Sequence, residues 1–81
     1  MYGTKHNIWN GGEKMYRNLK AEMIRNNIDN DDIAKAIHKD ARTVRNKMSG
    51  ATQFTFPETT IIRDSFFPKL KLEYLFEQSE G

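Results

Sequence analysis

Three helix-start signals crowd into residues 29–58, and they leave no room there for a long helix or a sheet. Asp29, Asp40 and Thr55 each precede a helix-forming run. Each carries a side-chain oxygen that accepts from the N–H groups a helix leaves unbonded at its start. Glu58 stands three residues after Thr55, which completes the S/T-x-x-E capping box, and Pro57 is tolerated in that first turn. Asp32 follows Asp29 at the same interval, a short-armed version of the box. Asp31 and Asp32 also set negative charge at the positive end of the helix dipole. Ile28 and Ile33 flank Asp29 in the positions of a hydrophobic staple. The stops are equally marked: "NNIDN", His38, Gly50 and Pro68.

Apolar spacing fills the intervals between these signals. From Glu13 the residues Tyr16, Leu19 and Met23 recur at helical spacing, with Met15 and Ile24 beside the stripe. Lys14, Arg17, Lys20, Glu22 and Arg25 occupy the other side. A second helix to about His38 turns Ile33, Ala34 and Ile37 inward, and a third spans about 41–49. A fourth carries Ile61, Ile62 and Phe66, and a short last one, about 70–78, carries Leu72, Leu75 and Phe76. The expectation is an all-α domain of five short helices over 13–78, with no strand. A tail or arm covers 1–12, where Trp9 is placed to tuck onto the body, and a C-terminal tail covers 79–81.

With 81 residues and no cysteine, stability must come from a modest apolar core rather than from disulfides or a thiolate metal site. His6 and His38 have no partner at metal-ligand spacing, so no metal is expected. Asp31 and Asp32 point about 100° apart on a helix and read as caps, not as an acid–base pair. Nothing resembles a nucleophile with its base or a phosphate-cradling glycine loop, so neither an enzyme, a cofactor nor a small-molecule substrate is expected. No apolar run reaches the ~20 residues of a membrane span and none at the start reads as a signal peptide, so the expectation is a cytoplasmic protein. Charge is polarised: residues 1–56 hold ten Lys/Arg against six Asp/Glu, and 57–81 hold three against five. That distribution suits a polyanion on one face.

The basic part contains "DDIAKAIHKDARTVRNKMSG", residues 31–50. Its spacing of Ala34, His38 and Val44 is that of a helix-turn-helix: a small residue for close crossing, a turn residue tolerant of positive φ, and a branched residue plugging the angle. "NLKAEMIRNNIDNDDIAKAI", "TVRNKMSG", "FTFPE" and "LEYLFE" extend the likeness over roughly residues 17–77. The chain resembles the phage-repressor-like (Cro and lambda-repressor) helix-turn-helix family. It departs from that pattern at His38, where members usually have Gly, and at Lys39, where they have a hydrophobic residue.

The resemblance implies a compact five-helix lambda-repressor-like domain and a sequence-specific, double-stranded DNA-binding regulator of phage or prophage type, a repressor by operator occlusion. It implies that residues 41–49 form the recognition helix in the major groove. Carried over by position, Ala41, Arg42, Thr43, Arg45 and Asn46 face the bases, and Asn30, Lys39 and Lys47 face phosphates. Ile33, Ala34, His38, Val44 and Met48 form the core of the motif. A module this small buries only about 600–1,000 Å² on DNA, so a homodimer is expected, with Tyr74 and Phe76 in its interface. The alternative is a protein-interaction module or phage accessory factor of the same fold that does not bind DNA. The weak net charge of +2 and Ala51, where relatives often carry a basic residue, favour that alternative.

Overall fold

The computed structural model describes residues 14–80, so the N-terminal arm over 1–12, with Trp9, lies outside the described residues. In chain order the elements are β1 (Lys14–Met15), α1 (Arg17–Arg25), α2 (Asn30–Ile37), α3 (Ala41–Met48), α4 (Phe56–Phe66), α5 (Leu72–Leu75) and β2 (Ser79–Glu80). The all-α expectation holds for the body. It is corrected at the two ends. The first helix begins at Arg17 rather than Glu13, because Lys14 and Met15 run antiparallel to β2, with Lys14 opposite Glu80 and Met15 opposite Ser79. The last helix, expected over 70–78, is a single turn. Backbone pairing thus ties the start of the body to its end.

The caps form as the residue types dictate. The Asp29 carboxylate accepts from the Asp32 N–H at 2.9 Å, and the Asp32 carboxylate accepts from the Asp29 N–H at 3.0 Å. Thr55 and Glu58 make the same reciprocal pair at 3.2 and 2.9 Å. Asp40 accepts from the Thr43 N–H at 2.8 Å. Each of the first three helices leaves through one left-handed residue: Asn27 at φ 59°, His38 at φ 61° and Gly50 at φ 94°. After each of them the next N–H reaches back five residues: Ile28 to the Met23 carbonyl, Lys39 to Ala34, and Ala51 to Asn46. This is the Schellman closure, which satisfies carbonyls a helix end leaves open. His38 does what glycine usually does at such a turn.

The core lies where these short helices meet. Leu19, Ile33, Val44, Ile62 and Leu75 are fully buried, one from each helix. Each such side chain contributes about 1.5–3 kcal/mol on burial. α2 packs on α3 and α4, and α5 packs on α1 and α4. On α4 the inward residues are Thr59 and Ile62, while Ile61 is exposed. Tyr16, Phe54 and Phe76 form a ring cluster with centroids 5.2–5.8 Å apart. The Phe54 N–H donates to the Tyr16 hydroxyl at 3.2 Å. Burial raises the Tyr16 pKa above its ordinary value, the Phe54 N–H opposes the rise, and the nearby Glu58 charge adds to it.

Candidate nucleic-acid interface

α3 is short, and its position follows from two anchors. Asp40 opens it with a carboxylate on the Thr43 N–H, and Val44 pins it at no exposure against Ile33 and Ala34 in the core. Helical spacing then throws Arg42, Arg45 and Asn46 onto one exposed stripe, since residues three and four apart share a face. Ala41 and Thr43 flank the stripe, half-buried. Met48 packs, partly buried, against the core. The motif-core positions Ile33, Ala34 and Val44 are therefore buried as the spacing requires, and His38 stands exposed in the turn.

Lys47 departs from its expected place on the phosphate face. Its ammonium turns inward, 3.2 Å from a Glu58 carboxylate oxygen, and donates to the Gln53 carbonyl at 3.0 Å. It also stands 5.7 Å from the centre of the Phe54 ring. With 9% exposure it is a strut between the end of α3 and the start of α4. The reason is tertiary: the Thr55 capping box holds Glu58 where a cation must meet it. Burial pushes the Glu58 carboxyl up, but the Thr55 N–H, the Lys47 ammonium and the charge of Lys39 outweigh it, so the pKa lies below the ordinary 4.5. Lys39 is half-exposed, and its Nζ is 3.9 Å from the second Glu58 oxygen, a loose pairing that leaves the head in solvent.

Asn30 is the first residue of α2 and half-buried. The Asp29 carboxylate already takes the Asp32 N–H beside it. That bond, with others from the same helix start, holds the Asp29 pKa below its ordinary 3.8. The helix end is thus internally neutralised, and what Asn30 offers an anion is chiefly its side-chain amide. Asp40 is held low as well: the Thr43 side chain and N–H outweigh the upward push of desolvation, and the charge of Arg42 and the Asp40 N–H add to the lowering.

Two cations not assigned from the sequence join this face. Arg17 and Lys20 on α1 line a groove together with Asn30 on α2 and Arg45 on α3. The readable signal was their spacing of three on the polar side of α1. Nothing in the sequence shows that this side lies beside α3. Arg42, Arg45, Lys20 and Lys39 are all exposed. They match the needs of a polyanion: guanidinium forks for base edges or phosphate, ammonium groups for phosphate.

The dimer residues separate. Tyr74 is 38% exposed, and its hydroxyl donates to Glu22 at 2.8 Å. Phe76 is partly buried and packs edge-on against Tyr16 and Phe54 at 5.8 and 5.7 Å. Among the described residues there is no group of His, Cys, Asp and Glu that could hold a metal ion, and no helix long and apolar enough to cross a membrane. Comparison of the chain with protein-family models, with curated proteins and with solved structures found no match.

Proposed function

We propose that the protein binds double-stranded DNA sequence-specifically and acts as a transcriptional regulator of phage or prophage type, a repressor that occupies its operator. The observation that carries this reading is the stripe Arg42, Arg45 and Asn46. It is held outward on α3 by buried Val44 and by the left-handed His38 turn to α2. In this reading α3 enters the major groove, Arg42 reaches a guanine edge from the first turn, and Asn46 is suited to adenine. Arg45, Lys20, Lys39 and the Asn30 amide hold backbone phosphates. Lys47 takes no part, because its charge is satisfied by Glu58. The working unit is a homodimer on a two-fold site in the cytoplasm, with Tyr74 on its contact face.

Selection from random duplex DNA tests the reading directly. Enrichment of one sequence supports it, and failure to enrich any sequence sinks it. Arg42→Ala should then cost roughly 1–3 kcal/mol on the selected site and flatten discrimination at one base pair. Asn30→Ala should weaken selected and scrambled duplexes by the same factor.

A second reading, a protein-interaction module of this fold, is favoured by two observations. Lys47 is withdrawn from the surface, and Asp29 and Asp31 stand exposed on either side of Asn30. Both lower the positive potential that a duplex would meet.

A further inference from the structure

The groove beside α3 has a floor that DNA cannot use. It encloses about 420 Å³ between α1, the start of α2 and the second half of α3. Met15, Ile28 and Met48, each partly buried, form its apolar lining over the buried Met23, and Ile24 stands at its edge with 71% of its surface in water. Lys20 and Arg45 are exposed cations on its lining, and among the described lining residues the one carboxylate is Asp29, which accepts the Asp32 N–H of its own cap. A duplex backbone satisfies the cations and buries nothing on the methionines and isoleucines. A neutral apolar ligand does the reverse.

We propose that this groove docks an acidic segment of a partner protein that carries an apolar anchor: one or two leucine-like or aromatic side chains seated on Met15, Ile28 and Met48, with carboxylates toward Lys20 and Arg45. Charge complementarity selects this occupant. The cations surround the apolar floor, and an amphipathic acidic helix presents both chemistries on one face. An exposed isoleucine on the lip extends the contact beyond the cavity, as a peptide needs and a small enclosed ligand does not. Arg45 and Asn30 belong both to the groove and to the face proposed for DNA, so partner and duplex exclude each other. That consequence rests on the DNA reading, whereas the docking itself does not.

The probe is a fluorescein-labelled 14-residue synthetic helix with leucines at helical spacing and glutamates elsewhere. Its two controls have lysine for every glutamate, or serine for every leucine. Anisotropy with the full chain should show binding of the acidic leucine peptide and roughly tenfold weaker binding of each control. Ile24→Asp and Lys20→Glu, both at exposed positions, should each weaken the acidic peptide about tenfold with melting temperature unchanged. Equal affinity for the lysine control, or no loss in Ile24→Asp, overturns the proposal. A chain dimer that Ile24→Asp dissociates in sedimentation overturns it in favour of a second copy, and tighter peptide binding in Trp9→Ala overturns it in favour of the chain's own N-terminal segment. In a final arm the peptide competes with the selected duplex. Peptide binding by a chain that binds no duplex leaves the docking proposal standing and removes only the DNA reading.

Discussion

Two residues carry structural consequences that their neighbours do not. His38 holds φ 61° with a side chain attached, a conformation that costs a non-glycine residue roughly 1–2 kcal/mol. His38→Gly relieves that cost but adds freedom to the unfolded chain, so stability should rise by at most about 1 kcal/mol. His38→Val, branched at the β-carbon, should lower it, and paired urea melts check both. Lys47 offers the sharper test. Removing one partner of a buried ion pair strands the other, so Lys47→Ala should cost about 3 kcal/mol of fold stability, while the double change Lys47→Met with Glu58→Gln, which keeps an acceptor for the Thr55 N–H, should recover part of that loss. A phosphate-binding lysine would behave oppositely: stability unchanged and the salt dependence of DNA binding reduced. The residue type alone made Lys47 look like a phosphate ligand, and only the position of Glu58 shows otherwise.

At the scale of elements, the helices are held by their ends. α2 and α3 have only eight residues each, too short to persist alone in water, so caps and packing must define them. Asp29, Asp40 and Glu58 all have folded pKa values below the ordinary 3.8 or 4.5. A depressed carboxyl pKa contributes stability that is present above the ordinary value and lost as pH falls through the folded one. The melting temperature should therefore be flat from about pH 7 to 5 and fall steadily below about pH 4.5. Circular dichroism melts across that range check it, and a chain that gained stability on acidification would show that these caps do not form in solution. Thr55→Ala should cost about 1 kcal/mol by removing one half of its capping box. All three N-caps were legible because the signal is local: one side chain, one N–H, three residues apart. The extent of the last helix was not, because its one turn ends where the chain departs to pair Ser79 and Glu80 with β1.

For the whole molecule, the cations of the proposed DNA face come from separate elements: Lys20 from α1, Lys39 from the turn, and Arg42 and Arg45 from α3. If Lys20, Lys39 and Arg45 meet phosphates while Arg42 reads a base edge, log affinity should fall against log salt with a slope of roughly −3. Affinity unchanged between low and physiological salt would remove the groove model. If the working unit is the proposed homodimer, DNA should show a footprint of two half-sites and sedimentation a mass of two chains. Tyr74→Ala is the substitution that should weaken it. Phe76→Ala does not isolate the interface: its ring also packs on Tyr16 and Phe54, and removing it should cost about 3 kcal/mol of monomer stability.

The sequence by itself determined what is decided within a few residues. The starts at Asp29, Asp40 and Thr55, the left-handed exit at His38, the stop at Gly50 and the inward Ile33, Ala34 and Val44 were all readable. Each depends on one hydrogen bond, one dihedral or one period of the helix. Tertiary structure decided everything that depends on which surfaces meet. It turned Lys47 in and left Arg42 and Arg45 out, although all three are cations on the same helix. It drew Arg17 and Lys20 beside Asn30 and Arg45. It took Phe76 into the ring cluster and left Ile24 in water. A charge or an aromatic ring has the same propensity in either place. Its burial is set by partners far away in the chain, as with the Tyr74 hydroxyl on Glu22, 52 residues apart, and no local pattern records those partners.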